Sequence, residues 1–250
     1  MEAHKPRPRE LAGELLEAYI LEHRLQPGDK LPSERELCQR WSLNRSTLRS
    51  AMAAMERDGI LHARPNSGTY LAPPKFVRNL QDLHSLSWTA ADQQRVLTSS
   101  LLSVGRMECD KTLAKHFGQM LGYPVYKVVR LRSVDSEPLM VETAFIPAER
   151  AEGLQEADLE GRSLFAVLEE YGMTPERGEE SIGITYATAE EAALLAVDEE
   201  APLFWLVTRT YDQTGALMEY CRTAARPDRV RLTSVLHRWD AETGGPDDEA

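Results

Sequence analysis

Four polar residues close together, Arg45, Ser46, Thr47 and Arg49, have the types and spacing needed to contact nucleic acid. They stand at or near the first turn of a predicted helix, away from its apolar stripe. The planar fork of a guanidinium matches O6 and N7 of guanine. The two hydroxyls, with the free N–H groups of a helix start, suit phosphate oxygens. The stretch therefore predicts a helix whose N-terminal end contacts DNA.

A second set of residues has the chemistry of an anion site. Arg130 and Arg132 are two positions apart, so in a strand they share one face. Two neighbouring guanidiniums repel each other unless an anion or carboxylates neutralise their charge. The functional interpretation is a site for a phosphate, carboxylate or sulfate group, where Glu142 and Glu219 accept from ligand hydroxyl or amino groups and Ser163 contacts the anion. The alternative is that both arginines only pair with Glu142 on a solvated sheet face.

Three predicted helices would position the first set. An amphipathic helix is expected over residues 8–23. Ser33 and Glu36 have the spacing of a capping box at the start of a second helix. Asn44 can cap the third helix, and Gly59 should follow its end in the left-handed conformation.

Two short strands are predicted after these helices, at residues 60–63 and 69–71, with a turn at 65–68. The tip of this hairpin carries Arg64 and flexible backbone at Gly68. Such a tip can enter a minor groove or lie along a phosphate backbone. Three helices followed by this hairpin predict a winged helix-turn-helix domain.

The charge distribution separates the two halves of the chain. Residues 1–74 hold 11 Lys and Arg against 10 Asp and Glu, whereas residues 75–250 hold 18 against 30. The net charge of −11 therefore belongs to the second half. Local charge attracts phosphates, so overall acidity does not argue against DNA binding by the first half.

The second half contains an internal repeat. Residues 124–142 and 202–220 are similar blocks offset by 78 positions, and each predicts a strand, a turn and a strand. The repeat predicts a sheet with pseudo-twofold symmetry and a cleft between its halves.

Helices accompany these hairpins. Asp110 is expected to cap a helix whose apolar face extends to Leu121, and Thr188 a second one. Another helix is predicted at residues 163–172. Helices packed on an antiparallel sheet define an α+β domain.

The first part of the chain, residues 7–72, resembles the winged helix-turn-helix of the GntR family of bacterial transcription regulators. The resemblance is carried by residues 28–37, 44–49 and 68–70. Asn44 stands where family members vary and is expected to help set the operator sequence. The resemblance implies operator contacts at Arg35, Arg45, Ser46, Thr47, Arg49 and Gly68.

About residues 87–240 resemble the UTRA effector domain of the HutC subfamily, which has a chorismate-lyase-like fold. The matching residues are Arg130-Leu131-Arg132, Glu142, Pro147 and the run 219–222. Cys221 stands where the family often has Ser, and residues 224–229 also depart from its pattern, which leaves open a ligand other than the amino-sugar phosphates of some relatives. The resemblance implies ligand contacts at Arg130, Arg132, Glu142, Ser163, Glu219 and Arg222.

These patterns predict a DNA-binding domain at residues 1–74, a linker at 75–86, an effector-binding and dimerisation domain at 87–240, and a disordered acidic tail at 241–250. The predicted function is ligand-responsive transcription regulation, most often repression in this family. We expect a homodimer on a palindromic double-stranded operator. A small anionic effector, such as a phospho-sugar or organic acid, would release or reset it, with the linker absorbing the motion.

Several classes of protein are not favoured. No apolar run approaches the ~20 residues of a membrane span, and the N-terminus has no apolar segment of a signal peptide. Three separated cysteines fit reduced thiols in the cytoplasm. No catalytic motif, cofactor motif or metal-ligand spacing appears, so we expect no enzyme activity, cofactor or metal. Two alternatives stay open: a lyase-like enzyme in the C-terminal domain, and a DNA-binding protein without a ligand.

Overall fold

The computed structural model describes residues 8–64, 67–83 and 85–236. Its N-terminal domain packs three helices and a two-stranded antiparallel sheet around one apolar core that includes Leu16, Leu37 and Leu48. This is the predicted winged helix-turn-helix. Pro65 and Asn66 of the predicted turn, and the predicted tail at 241–250, lie outside the described residues. The elements are α1 (Pro8–Glu22), α2 (Glu34–Trp41), α3 (Arg45–Arg57), β1 (Leu61–Arg64) and β2 (Gly68–Leu71).

The helix starts follow the capping residues in the sequence. The Ser33 side chain accepts from the Glu36 amide, and the Glu36 carboxylate accepts from the Ser33 amide at 2.8 Å, which completes a capping box. Asn44 caps α3 by accepting from the Thr47 amide at 2.7 Å. Gly59 follows α3 with a φ of +68°, a conformation that favours glycine. These three predictions are confirmed.

The C-terminal domain is a six-stranded antiparallel sheet with helices, as the α+β prediction states. The strands lie in the order β4-β5-β6-β9-β8-β7. Its strands are β4 (Leu97–Glu108), β5 (Pro124–Val134), β6 (Glu137–Pro147), β7 (Pro175–Tyr186), β8 (Pro202–Asp212) and β9 (Leu217–Ala225). Its helices are α4 (Leu86–Asp92), α5 (Lys111–His116), α6 (Leu164–Glu170) and α7 (Ala189–Leu195), with two short 3-10 helices at Ala148–Arg150 and Leu154–Glu156.

The internal repeat extends beyond the two hairpins. The first residues of α4 and α6, of β4 and β7, of α5 and α7, and of β5 and β8 are each 78 positions apart. The two halves meet at β6 and β9, where Thr143 pairs with Arg222 and Ala144 with Cys221. Adding or subtracting 78 exchanges these two pairs, so the pseudo-twofold axis passes between them. The sheet therefore has the predicted symmetry, and its centre is shared by both halves.

The segment between the domains contains a strand that is bound to the C-terminal domain. This strand, β3 (Phe76–Asn79), pairs in parallel with β10 (Val230–Thr233). One difference from expectation lies in α5, which ends at His116 and leaves Leu121 73% exposed. Gly118 follows with a φ of +61° and turns the chain away. In the described part of the chain, no helix has the length and apolarity to cross a membrane.

Candidate functional site

The N-terminal end of α3 presents two arginines held side by side by one carboxylate. The Nε atom of Arg45 lies 2.8 Å from one oxygen of Glu34, and the Nε atom of Arg49 lies 3.1 Å from the other. Both arginine side chains are largely exposed, at 73% and 66%. Each ion pair uses Nε, so the Nη atoms remain to form the fork that guanine accepts. Glu34 is therefore a positioning residue, and no sequence motif indicated this role.

The remaining predicted residues of this surface surround the same helix start. Asn44 is engaged as the α3 cap and also accepts from the Ser46 hydroxyl at 2.8 Å. The Thr47 amide donates to Asn44, so this N–H is already satisfied in the free protein. Arg35 is exposed on the first turn of α2. The structure therefore brings Arg45, Ser46 and Arg49 to one exposed surface, while Asn44 acts first as a structural cap.

The wing orders Arg64 through an aromatic contact. Its guanidinium lies 4.4 Å from the centre of the Tyr70 ring, and its Nε donates to Nε2 of His62 at 3.1 Å. Gly68 has a φ of +129°, and a Cβ there would come within 2.8 Å of Cε of Lys30. Glycine at this position permits the close approach of Lys30, which lies between α1 and α2, so Lys30 and Arg64 both lie beside the Tyr70 ring.

A cavity of about 100 Å³ lies on one face of the large sheet and is lined by both predicted arginines. Arg130 and Arg132 are 6% and 3% exposed. The Oε2 atom of Glu142 accepts from Arg130 at 2.8 Å and from Arg132 at 3.1 Å. Both arginines thus pair with Glu142, as the alternative interpretation expects. The sheet face that carries them is buried, however, and not solvated. The Nε atoms of both arginines are buried without a hydrogen-bond partner among the described residues. Because the Glu142 carboxylate pairs with both guanidiniums, the pair keeps a net positive charge that favours binding of an anion.

The protonation states of the two cavity glutamates differ. Burial opposes ionisation of Glu142, but the charges of Arg132 and Arg130 outweigh it and lower its pKa. Burial raises the pKa of Glu219 to about 7, with Arg130 acting against the shift and Glu142 adding to it. Glu219 accepts from the Thr210 hydroxyl at 3.3 Å. Near neutral pH Glu142 is therefore a carboxylate that pairs with Arg130 and Arg132, whereas Glu219 titrates.

The other predicted ligand residues divide between the two faces of the sheet. Ser163 lines the cavity. Arg222 does not, because side chains alternate along β9 and only those of Glu219 and its alternate neighbours face the cavity. The Arg222 guanidinium lies instead 5.5 Å from the ring centre of Phe145 and 5.3 Å from that of Tyr220. The assignment of Arg222 to the ligand site is corrected accordingly.

Several cavity residues were not identified from the sequence. The repeat offered a signal for some of them, because Thr208 and Thr210 are the 78-residue counterparts of Arg130 and Arg132. Alternation along β9 was a signal for others. Arg78 had no such signal, since it lies in the predicted linker. The additional polar cavity residues are Arg78, Asp82, Ser85, Thr208, Thr210, Cys221 and Thr223.

A winged helix-turn-helix with exposed arginines at its recognition helix, joined to a domain with a charged internal cavity, defines a DNA-binding transcription regulator with an effector domain. Comparison with known families agrees. The family described as bacterial regulatory proteins, gntR family, matches residues 8–71, and the UTRA domain matches residues 92–231. The chain belongs to the GntR family, in its UTRA-containing HutC subfamily.

Relatives with established names include repressors. The chain is 29% identical to the HTH-type transcriptional repressor NagR of Bacillus subtilis, over 90% of this chain and 93% of that one. It is 32% identical to the HTH-type transcriptional repressor PhnF of Mycolicibacterium smegmatis, over 84% of this chain and 85% of that one. The crystal structure of PhnF superposes with a TM-score of 0.66 and 30% identity, covering 90% of this chain and 99% of that one.

Proposed function

We propose that this protein is a repressor that binds a palindromic operator as a homodimer and is released or reset by a small anionic metabolite. The observation that carries the proposal is the presence of an exposed arginine-bearing helix end together with a buried cavity in which Arg130 and Arg132 share the carboxylate of Glu142 and keep their Nε atoms unpaired. It would act in the cytoplasm, where operator DNA is found. The names of the relatives support repression.

The operator contact would be made by the N-terminal end of α3 in the major groove. Arg45 and Arg49 are the candidates for base contacts, and the Ser46 hydroxyl for phosphate. Arg64 of the wing and the neighbouring Lys30 would contact the backbone or minor groove. A twofold protein would place two such helices about one helical turn apart.

The effector would place its anionic group against the free Nε atoms of Arg130 and Arg132. Guanidiniums match phosphate and carboxylate groups through paired hydrogen bonds. Glu142 and Glu219 would receive hydroxyl or amino groups of the same molecule. A phospho-sugar or an organic acid satisfies this set of partners.

We infer that the cavity binds without turnover. Cys221 supplies its thiol, and burial, followed by the charges of Glu219 and Glu142, raises the pKa of that thiol well above its ordinary value. A protonated thiol is a poor nucleophile. No histidine lines the cavity among the described residues, so a histidine base is not at hand there.

The decisive experiment selects duplexes from a random library with purified full-length protein at ~0.15 M salt, where non-specific contacts are screened. The expected result is an enriched palindrome and a solution mass twice the 28.1 kDa of one chain. Metabolites bearing phosphate or carboxylate groups are then added to the complex, and one class should release the DNA. The proposal fails if no duplex is enriched, or if turnover of an added metabolite is observed instead of release.

A further inference from the structure

A third arginine reaches the cavity from outside the effector domain's main sheet. Arg78 lies on β3 and lines the same cavity as Arg130 and Arg132. Burial opposes ionisation of Glu142, and Arg78 joins Arg132 and Arg130 in lowering its pKa. The positive charge of Arg78 is therefore felt inside the cavity, although its own partner lies elsewhere.

That partner is a single carboxylate on the edge strand. The Nη2 atom of Arg78 lies 2.6 Å from Oε1 of Glu180, and the Thr208 hydroxyl donates to the same oxygen at 2.8 Å. If Arg78 turned away, Glu180 would keep its hydrogen bond from Thr208. The Arg78 side chain is 25% exposed, so the exchange does not require a fully buried guanidinium to cross apolar packing. The geometry thus permits Arg78 to change partners.

The strand that carries Arg78 leads directly to the DNA-binding domain. The amide of Ala72 donates to the carbonyl of Ile60 within that domain at 2.8 Å. Only Pro73, Pro74 and Lys75 separate Ala72 from the start of β3. Two prolines in three residues restrict the backbone and make a short, stiff connection. A displacement of β3 therefore moves the DNA-binding domain, because the connection is too short and stiff to absorb it.

We propose that Arg78 is a third guanidinium of the effector site, which exchanges Glu180 for the anionic group of the effector and so ties occupancy of the cavity to the position of β3. This inference rests on the proposed anion site. It adds a contact between the effector and β3, the strand that leads to the DNA-binding domain. Arg130 and Arg132 do not supply this contact, because they are fixed in the central sheet.

A second, larger cavity continues past Arg78. It measures about 420 Å³ and shares Arg78, Asp82, Leu83 and Thr208 with the inner cavity. Gln81 and Glu176 also line it. An organic anion with its charged group at the inner arginines can extend its hydrogen-bonding remainder into this space. Such a ligand passes Arg78 at the junction, whichever of its ends enters first.

Sulfate is the probe for the anionic group, because it is a dianion throughout the neutral range. Its binding to the full-length chain is measured by titration calorimetry. We expect Arg78→Gln to weaken sulfate binding at least tenfold. Glu180→Gln should tighten it several-fold, because it removes the competitor for Arg78. The matched control is Arg177→Gln, an arginine of the outer cavity that pairs with Glu179 and does not line the inner one, and it should stay within twofold of the unmodified protein.

Hydrogen exchange of the segment 74–83 gives the second readout. Sulfate should change its exchange rate in the unmodified protein and in Arg177→Gln, and leave it unchanged in Arg78→Gln. If Arg78 only stabilised the fold, Arg78→Gln would alter exchange to the same extent with and without sulfate. It would not remove the change that sulfate causes. If Arg78→Gln fails to fold, Glu180→Gln decides, since the inference requires tighter binding there.

The outcomes separate this inference from the anion site. Unchanged sulfate affinity in Arg78→Gln, with binding lost in Arg130→Gln, overturns the role of Arg78 and leaves the anion site standing. Unchanged or weaker binding in Glu180→Gln also overturns it. Absence of sulfate binding in the unmodified protein overturns both together.

Discussion

Ser85 and Ser163 lie 78 residues apart in the chain and take equivalent positions around one cavity. Each caps a seven-residue helix, and each lines the cavity. The equivalent strand positions are not alike, because Arg130 and Arg132 in the first half correspond to threonines in the second. The backbone is therefore symmetric while the charge is not. An anion bound here would lie off the pseudo-twofold axis, nearer to β5.

The first prediction concerns base reading by α3. Arg45→Ala should weaken operator binding roughly ten- to a hundredfold, because a bidentate arginine–guanine contact is lost. Binding to random DNA should change little. Arg57→Ala, at the other end of the same helix and bonded to the Ala53 carbonyl, is the matched control and should not alter either affinity. Fluorescence anisotropy with both duplexes measures the difference, and equal losses on both would remove Arg45 from base reading.

The second prediction concerns the shared carboxylate of the cavity. Glu142→Gln leaves two buried guanidiniums without their charged partner, so the free energy of unfolding should fall by about 3–5 kcal/mol. Urea denaturation measures this loss. Sulfate should restore more stability to Glu142→Gln than to the unmodified protein, since the added dianion replaces the missing charge.

The control for that prediction is Glu170→Gln. Glu170 forms an ion pair with Arg162 in which both side chains are substantially exposed. Exposed ion pairs contribute little to the free energy of unfolding, so this variant should unfold at a urea concentration close to the midpoint of the unmodified protein. If Glu142→Gln behaves in the same way, the cavity is wetter and less dependent on charge pairing than the structure indicates.

The N-terminal domain could be predicted nearly in full from sequence. Ser33 and Asn44 are caps whose chemistry acts within one helical turn, and Gly59 meets a local backbone requirement. Such signals do not depend on distant contacts. The first strand of the wing lies one residue later than expected and the second begins one residue earlier, which is within the usual uncertainty of element boundaries.

Only part of the effector domain could be predicted from the sequence. The repeated hairpins were found because β5 and β8 keep similar side chains, whereas the edge strands β4 and β7 lack a clear apolar alternation. Ile182 and Ile184 on β7 are exposed, and so gave no sign of a buried face. Arg222 was misplaced because a motif gives neighbours in sequence, while a strand sends neighbours to opposite faces. Arg78 was missed because it lies on β3, which is held in place by pairing with β10, a strand more than 150 residues further along the chain.

The third prediction concerns pH. The pKa of Glu219 is raised to about 7 in the folded protein from an ordinary value of 4.5, so the folded state binds more protons between these values. Its contribution to stability is fully present below pH 4.5 and is lost as pH rises through 7, by at most roughly 3 kcal/mol. Urea denaturation at several pH values should show this decline. Sulfate should also bind more weakly above pH 7, where Glu219 is charged.

Glu219→Gln is the variant that isolates this effect, because its amide does not titrate. Its stability should lack the Glu219 decline, while His62 and His116, whose pKa values are lowered by burial, contribute equally to both proteins. Asp212 titrates in a different window, since hydrogen bonds from Thr214 and Arg150 outweigh burial and lower its pKa to about 2. Its contribution is present above pH 3.8 and is lost as pH falls through 2, so it does not overlap. A decline of equal slope in Glu219→Gln would assign the effect to another group.

The last prediction separates the two faces of the effector sheet. Arg132→Gln should abolish sulfate binding, because this guanidinium lines the cavity with its Nε unpaired. Arg222→Gln should leave sulfate binding within twofold, because its guanidinium stacks against Phe145 and Tyr220 on the other face. A resemblance in sequence alone assigns both arginines to the ligand, whereas strand alternation assigns only one. Loss of sulfate binding in Arg222→Gln, with an unchanged melting temperature, would show that β9 presents the opposite set of side chains to the effector.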